Sequence, residues 1–390
     1  MTHADKIAEA TSDKPLVALA AGGTGGHMFP AAALAEELQR RARRVLLITD
    51  VRGQRFTDGF KADDAILITA GSPSFGGFAA KALSAFSIVG GLTVSMSNFK
   101  RLGVAAVVGF GGYPSLPAVG AATFMRLPFG VHEQNGVLGR TNRLVVKHAK
   151  FVAHAFPALN RLPKNSADTI EVGNPVRDAV MDVSNTEYHA PSSADVIKLL
   201  VFGGSQGASV FSHSVPAAIA KLPEAIKRRI KVVQQARDAD LARVKAAYDE
   251  AGVEAETAPF FKDLPQRIAN AHLVIGRAGA STVTELSIIG RPSVLTPLPS
   301  AMDDHQTGNA KILSNAGGAV LAPEGEDFTE NLSNTLETLF ITEGRLAEMA
   351  GAAKGVVKTK AAARLADLVD ARLLGGAVET NSNGLQSAHA

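Results

Sequence analysis

The stretch Leu16-Val-Ala-Leu-Ala-Ala-Gly-Gly-Thr-Gly-Gly-His27, followed by Pro30-Ala-Ala-Ala-Leu-Ala-Glu-Glu-Leu38, decides the fold. Six apolar residues running into glycines are a strand buried on both faces, and the alanine–leucine run is a helix. Pro30 sits near the helix start, where its missing N–H is no loss. The same grammar restarts at Ile197-Lys-Leu-Leu-Val-Phe-Gly-Gly-Ser-Gln-Gly-Ala208. Further strands are read at Val45–Thr49, Ala65–Thr69, Val104–Gly109 and Phe129–Val131, then at Lys231–Gln235, His272–Gly276 and Pro292–Thr296. Apolar strands alternating with helices make parallel sheets covered on both faces. The chain therefore reads as α/β, with two successive doubly wound, Rossmann-like domains over 15–173 and 174–374, divided near Gly173-Asn174-Pro175. Two closing helices are expected at about Thr329–Phe340 and Ala347–Leu374, the last packing back on the first domain. The polar ends, 1–14 and 375–390, read as disordered.

Composition bounds the chemistry. The chain has 390 residues, 46% of them apolar and 20% charged, which suits two globular domains and excludes a wholly disordered chain. It has no cysteine, so disulfide scaffolds, thiol nucleophiles and cysteine-ligated metals are excluded. Net charge is +3, unevenly spread: residues 1–173 hold 19 Lys/Arg against 12 Asp/Glu, and residues 174–390 hold 21 against 25. An anionic partner would meet the first half. No recognition motif or aromatic–basic interleaving points to nucleic acid. The first 15 residues lack a secretory apolar core. The long uncharged runs Ala82–Phe99 and Leu102–Met125 hold glycines, polar residues or prolines unsuited to a spanning helix. Between Ser74 and Arg101 lie Phe75, Phe78, Lys81, Leu83, Phe86, Ile88, Leu92, Met96, Phe99 and Lys100, with Phe124, Met125 and Arg126 further on. Apolar residues flanked by bases suit either an anionic membrane surface or a core helix with a basic rim.

Several clusters carry chemistry. A glycine loop between strand and helix gathers N–H groups and the positive end of a helix dipole, which favours phosphate. Gly22–His27 and Gly203–Gly207 are two such loops at matching positions, although neither fits the dinucleotide or Walker pattern. Gly109-Phe-Gly-Gly-Tyr-Pro-Ser115 is a third, and Arg277-Ala-Gly-Ala-Ser-Thr-Val-Thr-Glu285 a fourth. Glu285, about one turn into a helix, reads as a helix cap or an acceptor for a ribose diol. Gln306 and Asn309 share a helix face, and their amides suit sugar hydroxyls. His132-Glu-Gln-Asn135 lies at a strand's carboxyl end, where open α/β sheets bind ligands. His27 precedes a helix, which lowers a histidine's pKa and suits a neutral base. No H-E-x-x-H or compact carboxylate set supports a catalytic metal at His132 or His305.

Seven motifs in order carry a resemblance. They are Gly22–His27, Gly111-Gly-Tyr-Pro-Ser115, His132–Asn135, Gly173-Asn-Pro-Val-Arg177, Gly203–Gly207, Arg277–Thr282 and Asp304-His-Gln-Thr-Gly-Asn309. Together, from about Leu16 to Leu374, they resemble the MurG family, which transfers N-acetylglucosamine from UDP-GlcNAc to lipid I to give lipid II in peptidoglycan synthesis. The resemblance implies a two-domain GT-B glycosyltransferase acting without a cofactor. The second domain would hold UDP-GlcNAc, and the first would hold lipid I (undecaprenyl-diphospho-MurNAc-pentapeptide) at the cytoplasmic face of the cell membrane. By matching motifs, Glu285 binds the ribose hydroxyls, Ser205 and Arg177 the diphosphate side, and Phe261 the uracil through its backbone. Gln306, Asn135 and the Ala280-Ser281-Thr282 turn meet the donor sugar, with Asn309 beside them. Thr24, Gly25 and Gly26 face the donor–acceptor junction, with Tyr113 on the acceptor side. His27 is the family's candidate base and Glu133 the competing one. Other cell-wall synthesis proteins are candidate partners. The alternatives are another GT-B transferase, a UDP-GlcNAc 2-epimerase, or a nucleotide-sugar sensor with no activity.

Overall fold

Successive side chains of β1 (Leu16–Ala20) point to opposite faces of a sheet, and all five are buried. Val17 and Leu19 pack with Met28, Leu34 and Leu38 of α1 (Gly25–Arg40). Leu16, Ala18 and Ala20 pack with Phe99 of α2 (Phe78–Leu102) and with Ala118, Ala121 and Ala122 of α3 (Ser115–Met125). A strand covered on both faces has to be apolar throughout, which is why the sequence shows no alternation there. The computed structural model describes residues 14–57, 59–69, 78–204 and 208–376, with the backbone alone over 78–85.

The first sheet adds β2 (Arg44–Thr49), β3 (Asp64–Leu67), β4 (Val104–Gly109), β5 (Phe129–Glu133), β6 (Val152–His154) and β7 (Thr169–Glu171). Its order is β3-β2-β1-β4-β5-β6-β7, and every pair is parallel. A six-residue helix, α4 (Arg140–Val145), follows β5. The second sheet comprises β8 (Ile197–Phe202), β9 (Ile230–Gln235), β10 (Glu254–Ala258), β11 (Leu273–Gly276), β12 (Ser293–Leu295) and β13 (Ala319–Leu321). It is also parallel, in the order β10-β9-β8-β11-β12-β13. Helices α5 (Ser209–Ala220), α6 (Leu241–Glu250), α10 (Phe328–Ile341) and α11 (Arg345–Ala353) cover one face. Helices α7 (Leu264–Asn270), α8 (Ala280–Ile289) and α9 (His305–Asn315) cover the other. In both sheets the order reverses between the first strand and the fourth, so a crevice opens beyond the strands' carboxyl ends there.

Four strands escape the sequence reading. β6, β7 and β13 are three residues each, too short for an apolar run to register. β10 is an edge strand carrying Glu254 and Glu256, whose charges mask its type. The expected helix over Ala347–Leu374 is two helices. After α11 the chain turns through Gly355 (φ +78°) and Lys360 (φ +57°) before α12 (Ala361–Leu368) and a single π-helical turn, Val369–Leu373. The break lets the chain leave one domain for the other: Val357 lies in the core of the second, Leu365 and Val369 in the core of the first. Arg41 and Arg43, near the end of α1, bind Asp370 of the π-helical turn at 3.3 and 2.9 Å, and Arg41 binds Asp367 of α12 at 2.7 Å.

The apolar–basic segment divides its side chains. Phe99 is fully buried, and Leu92 and Met96 pack on the same core. Phe86 (77%), Val89 (59%) and Val94 (42%) are exposed, as is Phe124 (73%) of the neighbouring α3. Phe75 lies outside the described residues, and the side chains of Phe78, Lys81 and Leu83 are not described. Among the described residues no helix is long and apolar enough to cross a membrane.

Gly173, next to Val172 of the first domain's core, has φ +92°, and a Cβ there would stand 2.5 Å from the Lys358 carbonyl oxygen. Gly173→Ala is expected to destabilise the protein by about 2 kcal/mol or more. The denaturant midpoint measures this, and an unchanged midpoint would contradict the packing described.

Candidate functional site

The loop after β1 is held from both sides. The Asp50 carboxylate, at the end of β2, accepts from Gly23 N (3.1 Å) and Gly53 N (2.9 Å) and pairs with Arg52 Nε (2.9 Å). Gly22 is squeezed between Asp50 and Pro114: a Cβ there would lie 2.9 Å from each. Gly112, at φ +73°, approaches so closely that a Cβ would sit 3.5 Å from the His27 ring. The glycine loops after β1 and β4 thus meet at His27.

His27 lies in the first turn of α1, three residues beyond the N-cap Thr24. Its Nδ1 is 3.2 Å from Thr24 Oγ1. Burial pushes its pKa down to about 4, and the nearby Arg52 guanidinium acts in the same direction. The hydrogen-bonded Gly22 carbonyl and Asp50 work against this and lose. The imidazole is therefore neutral at pH 7 and able to accept a proton. Gly25 is buried and Gly26 exposed at the same turn, and Tyr113 is half-buried in the loop after β4.

Glu133 has a different task from the one the motif suggests. Its Oε1 accepts from Asn135 N and Asn135 Nδ2, both at 3.1 Å. Its Oε2 accepts from Gly139 N (2.8 Å) and Asn142 Nδ2 (2.9 Å). Burial pushes the carboxyl up, and the four donors pull against it. A carboxylate offers about four lone-pair sites, and all are taken, so Glu133 anchors the 135–142 loop and is no base for a substrate hydroxyl. His132 is fixed likewise: Gln134 Nε2 donates to its Nδ1 (3.0 Å), its Nε2 donates to the Gly173 carbonyl (2.9 Å), and it is fully buried.

Asn309 is also corrected. It is fully buried and joins the domains: its Oδ1 accepts from Gly136 N (3.0 Å), and its Nδ2 donates to Asn135 Oδ1 (3.1 Å) and Ala278 O (3.1 Å). Both its N–H donors are used and the side chain is fully buried, leaving Gln306 of the pair to offer groups to a sugar. Gln306 is half-buried, and its Oε1 accepts from Leu298 N (3.0 Å), which leaves its NH2 donors.

Across the cleft, α8 starts just beyond β11, with Gly279 as N-cap and Ala280, Ser281 and Thr282 in its first turn. Free N–H groups and the helix dipole meet there. Glu285, one turn in, is 6% exposed, and burial raises its carboxyl pKa to about 7 against the pull of Arg177. Arg177 stands 3.7 Å from Glu285, and its guanidinium lies 4.6 Å from the ring centre of Phe29 in α1, so it spans the domains. Its Nε is buried with no partner. Phe261 is buried under the Arg267 guanidinium at 4.2 Å. Gly204 has φ +81° in the loop after β8, and Ser205, with Gln206 and Gly207, lies outside the described residues. The structure thus gathers Thr24, Gly25, Gly26, His27 and Tyr113 on one wall. Arg177, Ala280, Ser281, Thr282, Glu285 and Gln306 form the other. Sequence reasoning missed Asp50 and Phe29. Asp50 was findable, since it directly follows a strand at the ligand end of a sheet. Phe29 had no signal, being one aromatic in an apolar helix.

Comparison with known proteins gives one consistent picture. Residues 17–154 match the glycosyltransferase family 28 N-terminal domain, and residues 198–369 match its C-terminal domain. A UDP-N-acetylglucosamine--N-acetylmuramyl-(pentapeptide) pyrophosphoryl-undecaprenol N-acetylglucosamine transferase of Rhodospirillum centenum is 46% identical, over 90% of this chain and 93% of its own. The same-named protein of Chelativorans is 47% identical, over 91% and 94%. The crystal structure of Acinetobacter baumannii MurG superposes with TM-score 0.73 at 31% identity, over 92% of this chain and 99% of that one. A UDP-GlcNAc 2-epimerase of Neisseria meningitidis shares the fold alone, at 13% identity and TM-score 0.61.

The buried histidines set a pH dependence. His132 is pushed down to about 4 by burial, below its ordinary 6.5. Its contribution is intact above pH 6.5 and is lost as pH falls towards 4, roughly 3 kcal/mol in all. In His132→Gln the loss of stability between pH 6.5 and 4 should shrink by that order. Parallel pH–stability curves for the two proteins would show that His132 is not the group responsible.

Proposed function

The chain belongs to the MurG family of GT-B glycosyltransferases, and from that premise we propose how its cleft performs the family's reaction. N-acetylglucosamine passes from UDP-GlcNAc to the 4-hydroxyl of MurNAc in undecaprenyl-diphospho-MurNAc-pentapeptide, so that lipid I becomes lipid II. The hydroxyl oxygen attacks the anomeric carbon from the face opposite UDP. The new C–O bond forms as the bond to the diphosphate breaks, and α becomes β. His27 takes the hydroxyl proton. UDP departs with the bonding electron pair.

The neutral His27, where two glycine loops converge, is the observation that carries this reading. A base with a free-enzyme pKa of about 4 is weak, but it is fully unprotonated at neutral pH. A bound diphosphate supplies negative charge beside it and raises its basicity when the proton must move. The leaving diphosphate is stabilised by N–H groups at the start of α8 and α1 and by Arg177. Glu285 accepts the ribose hydroxyls. The Ala280-Ser281-Thr282 turn, Asn135 and the free NH2 of Gln306 hold the donor sugar, and the backbone at Phe261 reads the uracil. Thr24, Gly25 and Gly26 form the floor at the junction, and Tyr113 borders the acceptor.

At the membrane, the exposed Phe86, Val89, Val94 and Phe124 lie in the domain that carries the positive excess, with exposed Lys100, Arg101 and Arg126 in or just beyond the same two helices. This surface suits peripheral attachment to an anionic leaflet, where the polyprenyl acceptor resides. On this reading the enzyme works peripherally, at the cytoplasmic face.

The test is transfer from labelled UDP-GlcNAc to a lipid I analogue. His27→Ala should lose about 10²- to 10⁴-fold in kcat while UDP-GlcNAc binding persists. Near-normal turnover would remove His27 as the base, and sugar epimerisation without acceptor would point to the epimerase chemistry. In wild type, kcat/KM for UDP-GlcNAc should fall as pH drops through about 7, where Glu285 takes up a proton; in Glu285→Gln it should stay level between pH 8 and 6, since the free base titrates near 4. The double variant Phe86→Ser, Phe124→Ser should bind anionic vesicles at least about tenfold more weakly. Equal vesicle binding would rule out this surface.

A further inference from the structure

One carboxylate at the junction of the two domains has no part in the reaction itself. Asp303 sits in a 3₁₀ turn, Met302–Asp304, immediately before α9 of the second domain. Three arginines of the first domain converge on it. Arg161 Nη1 is 2.6 Å away, Arg140 Nη2 is 3.4 Å away, and Arg143 makes the tightest contact. The Asp303 side chain is only 12% exposed. Burial raises its carboxyl and the three guanidiniums more than reverse that, so it lies below the usual carboxylate range and is ionised at neutral pH.

Two further observations tie this cluster to the chemistry. Asp303 and Asp304 are consecutive non-glycine residues at left-handed φ, +57° and +54°. Such backbone persists only where the surroundings over-determine it. Thr307 Oγ1 donates to Asp304 Oδ1 (2.7 Å), and His305 Nδ1 donates to the Met302 carbonyl (2.8 Å), so the turn hands its conformation to the start of α9. That start carries His305 and Gln306, and one turn later Asn309, the buried tie to Asn135 and Gly136. On the other side, Arg140 and Arg143 belong to α4, whose N-cap is Gly139, the residue that Glu133 grips at 2.8 Å. Glu133 therefore aims the arginines, and Asp303 receives them.

We propose that Asp303 is a positioning residue for the transfer: by drawing Arg140, Arg143 and Arg161 onto one carboxylate, it holds the two domains together across the cleft and fixes the start of α9, which carries Gln306. The proposal rests on the transferase reading of the cleft for its kinetic consequence, but its structural consequence stands without it. Three cations on one anion leave two positive charges in excess. Removing the anion converts attraction into repulsion among the arginines.

The chain has no cysteine, so Lys164→Cys and Glu343→Cys, both at exposed positions, allow one spin label per domain. Asp303→Asn in that background should shift the interdomain distance distribution and broaden it, and Asp303→Glu should restore it. An unchanged distribution overturns the proposal. In the transfer assay Asp303→Asn should lower kcat about ten- to a hundredfold, with UDP-GlcNAc affinity within about threefold of wild type. A purely structural role would lower thermal stability while leaving the distances and kcat alone, and that result also overturns it. Rising ionic strength should lower kcat in wild type and have little effect in Asp303→Asn, because the attraction is screened. Arg161→Gln, on the exposed side of the cluster, keeps the test open if Asp303→Asn fails to fold, and should move distance and kcat part of the way. A distance shift in a protein whose wild type transfers no sugar would support the latch and remove the transferase reading. An active wild type with no shift and no kcat loss in either variant would do the reverse.

Discussion

The close approach of three loops around Gly22 is the constraint on which the rest depends. No side chain fits between the Asp50 carboxylate and the Pro114 ring, each 2.9 Å from where a Cβ would stand. Asp50 answers this crowding by accepting two backbone N–H groups, so the turn at the end of β1 is held by hydrogen bonds as well as by packing. α1 begins three residues later, and His27 comes to rest beneath Gly112. The strands beneath are apolar and buried on both faces, so the sheet cannot tilt to relieve the crowding without opening its core. A neutral histidine at the mouth of the cleft follows from that rigidity: the ring is desolvated because the loops cannot move away.

The second domain repeats the strand order around its own first and fourth strands, and the two domains are joined by polar groups. Asn309 spends its whole amide on one loop from each domain, and Arg177 lies between Glu285 and Phe29. Asp303 collects the arginines that Glu133 has oriented. Such a junction is directional, since hydrogen bonds and ion pairs have a preferred geometry where apolar contact would slide. An enzyme that must admit a nucleotide sugar and a lipid-linked acceptor, then exclude water, needs a joint that opens without exposing a large apolar surface. The covalent return of the chain through α12, pinned by Arg41 and Arg43 to Asp367 and Asp370, limits how far it can open.

Glu133 and Asn309 show where motif reading stops. Both lie in segments that match the family, both are polar, and both stand at places where a ligand could be met. Only the count of hydrogen bonds separates them from their neighbours. Glu133 has four donors on two oxygens, and the buried Asn309 has no N–H left over, whereas Gln306 keeps its NH2 free. The partners come from residues 2 to 174 positions away, and no local pattern records which of them will arrive. The same holds for α2, where Phe99 goes into the core and Phe86 to solvent although both are phenylalanines in one helix. Three of the four missed strands, β7, β10 and β13, lie at sheet edges, where pairing requires little of the sequence; β6 is internal and only three residues long.

The sequence by itself determined the two doubly wound domains, the glycine turns at the ends of β1, β4 and β8, and the family. Those features are local: buried parallel strands must be apolar, and a chain that turns sharply beside another backbone must give up its side chain. Tertiary structure alone decided which polar residues face the cleft, that burial is the main cause of His27's lowered pKa, that the last helix breaks to cross between domains, and that one aspartate gathers three arginines. These depend on burial and on partners distant in sequence, and the energy of a charge is set by what surrounds it in space.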